Sequence, residues 1–143
     1  MPECYLLAIS SGSSLDNDTN NWSLFKLVEQ VGVPHTPGIL PLEIHTYWLF
    51  EPEEYKINFD IRLVLVNREG GRLESKSIVL SSQTPQHRVR ITGLPIDGFG
   101  FHKLRVEWRK QDADQWEQCP IFWPLRVEQL HEKQQPSNEG TKE

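Results

Sequence analysis

Hydrophobic and polar residues alternate at every second position through much of the chain. The clearest segment is 57–66, where Ile57, Phe59 and Ile61 alternate with Asn58 and Asp60. Segment 101–109 repeats the pattern. Successive side chains of a β-strand point to opposite faces, so this period predicts strands with one face in a core.

Turn-forming sequences separate the alternating segments. Asn67–Gly71 and Gln83–Gln86 are typical of hairpin loops, and residues 11–21 predict a polar loop. Pro120 and Pro124 remove backbone donors, which predicts an edge strand or two short strands broken by a bulge. The predicted strands cover residues 4–10, 42–50, 57–66, 72–82, 87–93, 101–109 and 116–127.

Residues 23–31 are ambiguous between a strand and a helix. Leu24, Leu27, Val28 and Val31 have helical spacing. We favour a strand, because Gly32-Val33-Pro34 ends the segment early and a polar loop precedes it. Short strands at roughly 12-residue spacing indicate a two-sheet antiparallel sandwich.

The order of features resembles a family of small, uncharacterised bacterial proteins with a single immunoglobulin-like sandwich. The similarity covers residues 4–127. It includes Tyr47-Trp48, Asn67-x-x-Gly70, Gly93-Leu94-Pro95, Gly100 to Val106 and Pro124 to Val127. It implies the fold and assigns no catalytic or binding residue.

We therefore predict an all-β protein, a single immunoglobulin-like antiparallel β-sandwich of seven to nine strands. The sandwich occupies residues 1–128, and the polar segment 129–143 is predicted to be a disordered tail. Trp48 follows Cys4 by 44 positions, which does not match the cysteine–tryptophan spacing of antibody domains.

Composition narrows the functional classes. A chain of 143 residues is the size of one domain, and its net charge of −5 argues against general nucleic-acid or anionic-membrane binding. The first ten residues lack the basic start of a signal peptide, and no apolar run approaches the about 20 residues of a membrane span. We expect a cytoplasmic protein in which Cys4 and Cys119 are reduced and partly buried.

Charge is unevenly distributed along the chain. Residues 1–61 carry 2 basic and 9 acidic residues, whereas residues 62–128 carry 11 basic and 8 acidic ones. If their strands share a sheet, the outward basic residues form a docking face for an acidic protein segment or another anion. The alternative is a solvated face with arginine–glutamate pairs across strands. The basic residues concerned are Arg88, Arg90, Lys103, Arg105 and Arg109.

Five tryptophans are many for a domain of this size. We expect Trp48 and Trp108 in the core, and Trp22, Trp116 and Trp123 at more exposed positions. Exposed tryptophans are typical of protein contacts and also stack on sugar rings. Trp116 and Trp123 are therefore candidates for either kind of contact.

No segment has the residue spacing of a catalytic, metal or cofactor motif. His45, His87 and His102 lie on predicted strands, and segment 16–27 begins like a calcium loop but lacks the required Gly and Glu. We predict no cofactor and no enzymatic activity. The first hypothesis is a protein-interaction module that binds another protein or itself through a sheet face or edge strand. A small-ligand or carbohydrate binder is the second, and a metal-dependent or hydrolytic enzyme the third.

Overall fold

The structure, a computed structural model, describes residues 1–131 and contains ten strands. This exceeds the seven to nine predicted, because two segments expected as single strands are each divided. A short 3₁₀ turn at Pro52–Glu54 follows the fourth strand. The strands are β1 (Glu3–Asp16), β2 (Asn21–Leu27), β3 (Gln30–Val33), β4 (Gly38–Leu49), β5 (Phe59–Asn67), β6 (Arg72–Glu74), β7 (Ile78–Leu80), β8 (Gln86–Ile96), β9 (Gly100–Lys110) and β10 (Glu117–Gln129).

The strands form two packed sheets. One has the order β2-β1-β4-β8, and the other has the order β3-β10-β9-β5-β6, with β7 also pairing with β5. An immunoglobulin sandwich places its first, second and fifth strands in one sheet and its third, sixth and seventh in the other. Strands β1, β4 and β8 match the first set, and β5, β9 and β10 match the second. The predicted sandwich is confirmed, with β2 and β3 inserted after the first strand.

The core lies between the inner faces of the sheets, where alternation predicted it. Phe59 and Ile61 on β5 and Leu104 on β9 are buried, as are Trp48 on β4 and Trp108 on β9. Phe59 contacts Trp108 edge to face, with ring centroids 5.8 Å apart. Aromatic side chains thus supply much of the buried apolar surface that stabilises this small domain.

The segment expected to be a polar loop, residues 11–21, is mostly strand. Strand β1 continues to Asp16, because its Ser- and Gly-rich half pairs antiparallel with β2. The preference for strand over helix in residues 23–31 is confirmed. However, the segment divides into β2 and β3, which belong to different sheets, and β3 pairs with β10 in parallel.

Two other predicted strands depart from a regular ladder. Segment 72–82 is divided into β6 and β7 at Ser75. Its N–H still donates to Leu63 O at 2.9 Å, but its hydroxyl accepts the Leu63 N–H at 2.9 Å in place of a backbone carbonyl. Strand β10 is one strand with a register shift between Gln118 and Phe122, around Pro120. The predicted bulge is present, and β3 pairs only with residues 126–129 of β10.

Most of the predicted tail, residues 129–143, lies outside the described residues. Gln129 ends β10, and the Leu130 N–H donates to Val33 O at 2.8 Å. Within residues 1–131 there is no helix long and apolar enough to cross a membrane.

Candidate functional site

The β1–β2 hairpin folds over the outer face of the four-stranded sheet. Strand β1 pairs with β4 only as far as Ser10, and beyond it β1 pairs with β2 alone. Residues 11–26, here called the hairpin arm, then contact side chains of β4 and β8. Trp22 packs edge to face on His45 at 5.9 Å, and Arg88 donates to Asn20 O at 2.8 Å. The arm buries Ser10 and His45, although both lie on the outer face.

A cleft of about 770 Å³ lies between the tip of the arm and the sheet. Its aromatic lining is Tyr5, Trp22 and Tyr47, and the rings of Tyr5 and Tyr47 meet edge to face at 6.0 Å. The Arg88 guanidinium lies 5.9 Å from the centre of the Tyr47 ring. The remaining lining residues are Leu6, Thr19, Asn20, Asn21, Thr84, Pro85 and Gln86.

The chemistry of this lining suits an extended ligand with both apolar and hydrogen-bonding groups. Aromatic faces offer contact area, and the amides of Asn20, Asn21 and Gln86 offer donors and acceptors. Arg88 is the charged side chain of the lining, and no carboxylate accompanies it. A neutral or negatively charged ligand is therefore favoured over a cationic one.

A cluster of three polar side chains lies between the arm and the sheet, but it does not form a nucleophilic site. Its members are Ser13 on the arm and Glu43 and His45 on β4. Glu43 Oε1 accepts the Ser13 hydroxyl at 2.7 Å and lies 3.1 Å from His45 Nε2. A serine nucleophile instead needs the base on its own hydroxyl and the carboxylate beyond the base. The three residues here hold the arm on the sheet.

Burial and hydrogen bonding shift the pKa values of this cluster. Burial is the main cause that lowers the pKa of His45, which keeps the imidazole neutral. The hydrogen bond from Ser13 is the main cause that lowers the pKa of Glu43, and Arg90 acts in the same direction. A neutral imidazole thus faces a carboxylate that stays ionised.

The structure separates the five predicted basic residues into two groups. Arg88 and Arg90 lie on β8 in the four-stranded sheet, whereas Lys103, Arg105 and Arg109 lie on β9 in the six-stranded sheet. The condition for one basic face, a shared sheet, is therefore not met.

Carboxylates neutralise much of the outer face of the six-stranded sheet. Glu107 binds Arg62 at 2.8 Å and Arg72 at 3.1 Å, and Arg109 binds Asp60 at 3.1 Å. These contacts are the cross-strand pairs of the alternative interpretation.

Trp116 and Trp123, the candidates for protein or sugar contact, occupy different environments. The Trp116 ring contacts two guanidinium groups, and its centroid lies 4.2 Å from that of Arg62 and 4.3 Å from that of Arg109. Trp123 packs against the core, and its indole N–H donates to Val28 O at 2.7 Å. Trp22 lines the cleft instead. The cleft tryptophan is thus neither of the two proposed for sugar stacking.

The possible metal sites lack the necessary arrangement. Within the part of the chain that the structure describes, no three His, Cys, Asp or Glu side chains form a group that could hold a metal ion. Asp16, the first residue of the calcium-like segment, accepts the backbone N–H of Asp18 at 2.9 Å. Its carboxylate stabilises a local turn, as expected of such a loop.

Sequence reasoning missed most of the cleft. Tyr5, Tyr47 and Gln86 were not candidates, although one signal was present. Residues 47–50 are apolar at every position, and Tyr47 and Leu49 are the outward members of that run. In comparisons with known proteins, no family model matches the chain and no curated protein matches it.

Proposed function

We propose that the protein is a non-catalytic binding module whose cleft takes an extended segment of another protein, neutral or acidic in charge. The observation that carries the proposal is the grouping of Tyr5, Trp22, Tyr47 and Arg88 around one open cleft. Tyrosine, tryptophan and arginine are the residue types that dominate the energetics of protein interfaces.

Contacts between the hairpin arm and the sheet fix the shape of the cleft, as expected of a binding site. Arg88 is bonded to the backbone of Asn20, and Trp22 is packed on His45, so the two walls are joined. A site that is ordered before binding loses less conformational entropy when the ligand arrives. We further propose a bacterial cytoplasmic setting, which the family resemblance supports.

The test is affinity capture from host lysate with a matched pair of double variants. The cleft variant is Tyr5→Ser with Arg88→Ser. The control is Phe122→Ser with Lys103→Ser, which removes an equally exposed aromatic ring and its neighbouring cation from the other sheet. We expect the cleft variant to lose at least about 10-fold of a captured protein, which corresponds to about 1.4 kcal/mol. Equal capture by wild type and both variants would contradict the proposal.

A carbohydrate ligand is the second candidate, because the cleft combines aromatic rings with several amides. It would use Trp22, Tyr5 and Tyr47 in place of Trp116 and Trp123. A glycan array probed with wild type and the same two variants distinguishes the candidates. Binding that the cleft variant alone loses would support a sugar ligand.

A further inference from the structure

The two cysteines meet where the first and last strands of the sandwich approach each other. Cys4 lies on β1 and Cys119 on β10, so they belong to different sheets. Each is 3% exposed, and both line one cavity of about 290 Å³. Exposed Met1 also lines this cavity, which therefore reaches the surface at the start of the chain.

The hydrogen bonds around the two sulfurs make the thiols unequal. The Cys4 thiol lies 3.4 Å from Leu6 O and is also within hydrogen-bond reach of Cys119. This contact with Cys119 is the main cause that raises the pKa of Cys4, and it is the main cause that lowers the pKa of Cys119. Of the nearby charges, that of Arg105 favours the Cys119 thiolate and that of Glu107 opposes it.

We propose that Cys4 and Cys119 are a modification site that forms an intramolecular disulfide by exchange with a low-molecular-weight disulfide. The cavity admits the reagent, and the adjacent thiols supply both the nucleophile and the resolving group. Glu3 and Glu117 line the same cavity, so a cationic disulfide is favoured over an anionic one.

The exchange proceeds in two balanced steps. The Cys119 thiolate attacks one sulfur of the reagent, whose S–S bond breaks and releases one thiolate that takes a proton. Cys4 then loses its proton and attacks the Cys119 sulfur of the mixed disulfide, which releases the second small thiol. Two protein thiols are oxidised, and one small disulfide is reduced to two thiols.

The new bond would join the two sheets. It closes a loop between residues 115 positions apart, which restricts the unfolded chain strongly. We expect the melting temperature of the oxidised protein to rise by roughly 10 °C.

The experiment treats native full-length protein with cystamine, a dicationic small disulfide, and measures intact mass and melting temperature. The expected product has lost two hydrogens, and peptide mapping joins Cys4 to Cys119. A lasting cysteamine adduct, a covalent dimer or unmodified thiols would overturn the proposal. So would an oxidised protein whose melting temperature is unchanged or lower.

Two variants test whether each thiol resolves a mixed disulfide on the other. Cys4→Ala is expected to stop at the mixed disulfide on Cys119, and its melting temperature should not rise. Cys119→Ala is expected to stop at a mixed disulfide on Cys4 in the same way, because no second thiol remains to attack it. Loss of two hydrogens in either variant would overturn the assignment of these two cysteines as the reacting pair. The wild-type measurement does not depend on either variant folding.

Discussion

His45 and Glu43 show how the hairpin arm changes the environment of single residues on an otherwise solvent-facing sheet surface. The His45 side chain is 1% exposed, beneath Trp22 and beside Glu43 and Arg90. Burial lowers the pKa of His45, and hydrogen bonds lower the pKa of Glu43. In both cases the folded state binds a proton less readily than the unfolded state does.

Stability is therefore expected to fall on the acid side. A group whose folded pKa is lowered contributes stability above its unfolded pKa and loses it as the pH falls through the folded value. His45 starts from 6.5, so the free energy of unfolding should decrease as the pH drops below about 6.5. Burial also lowers the pKa of His87, which adds to this decrease in unfolding free energy. Glu43 contributes a further decrease at lower pH.

Urea unfolding across this pH range checks the prediction. His45→Gln should flatten the dependence in part, because His87 remains. His35→Gln is the control, since His35 is exposed and its replacement should leave the slope unchanged. A slope that does not respond to His45→Gln would show that this residue does not cause it.

Trp116 is expected to stabilise the fold although it lies outside the core. Its ring contacts the guanidinium groups of Arg62 and Arg109, which are themselves bonded to Glu107 and Asp60. Two cation–π contacts and the lost packing make Trp116→Ala cost about 2 kcal/mol in unfolding free energy. Phe99→Ala, at a 40% exposed aromatic, should cost less than about 0.5 kcal/mol in the same urea titration. Equal small losses would mean that the stacking contributes nothing measurable.

At the scale of strands, the alternation of apolar and polar residues correctly predicts the strands that form the core. Most of segment 57–66 and all of segment 101–109 form strands as predicted, because β5 and β9 pack alternate apolar residues into the core and this burial imposes the two-residue period. Residues 11–21 of the hairpin arm were predicted to be a loop, because this Ser- and Gly-rich part has little apolar surface to produce that period. The division of segment 23–31 could not be predicted either, because both parts are extended strands. Only their long-range pairing places them in different sheets.

Ser75 marks the point where predicted strand 72–82 divides, and it can be tested directly. Its hydroxyl accepts the Leu63 N–H at 2.9 Å, in place of a regular backbone acceptor. Ser75→Ala should leave that donor unsatisfied and lower the unfolding free energy by about 1–2 kcal/mol. Ser77→Ala, at an exposed neighbour, should change it by less than about 0.5 kcal/mol. Faster hydrogen exchange at the Leu63 amide in Ser75→Ala would identify the bond responsible.

At the scale of the whole molecule, the candidate site depends on contacts that no local pattern encodes. Its lining comes from β1, the β1–β2 turn, β2, β4, the loop before β8 and β8 itself, and the two walls meet because Arg88 reaches Asn20 across the sheet. Whether the basic residues share one face could not be predicted, because period-two alternation shows which side of its own strand a residue occupies but not which sheet the strand joins. Strands β8 and β9 are consecutive in the chain and belong to opposite sheets.

The crossover between β2 and β3 joins both sheets at one side of the sandwich. The Val28 N–H donates to Ile9 O in β1 at 2.8 Å, and Glu29 O accepts the Arg126 N–H of β10 at 2.8 Å. Trp123 completes this connection, since its indole N–H donates to Val28 O at 2.7 Å. We infer that Trp123 acts in folding stability and not as an exposed contact residue.

Trp123→Phe should therefore weaken the crossover while keeping an aromatic ring in place. Val28 O loses its donor, so we expect about 1–2 kcal/mol less unfolding free energy and faster hydrogen exchange in β3. Trp116→Phe is the matched control for loss of indole volume, and it should leave exchange in β3 unchanged because Trp116 stacks on Arg62 and Arg109. If both variants protect the β3 amides as the wild type does, the indole bond does not hold the crossover.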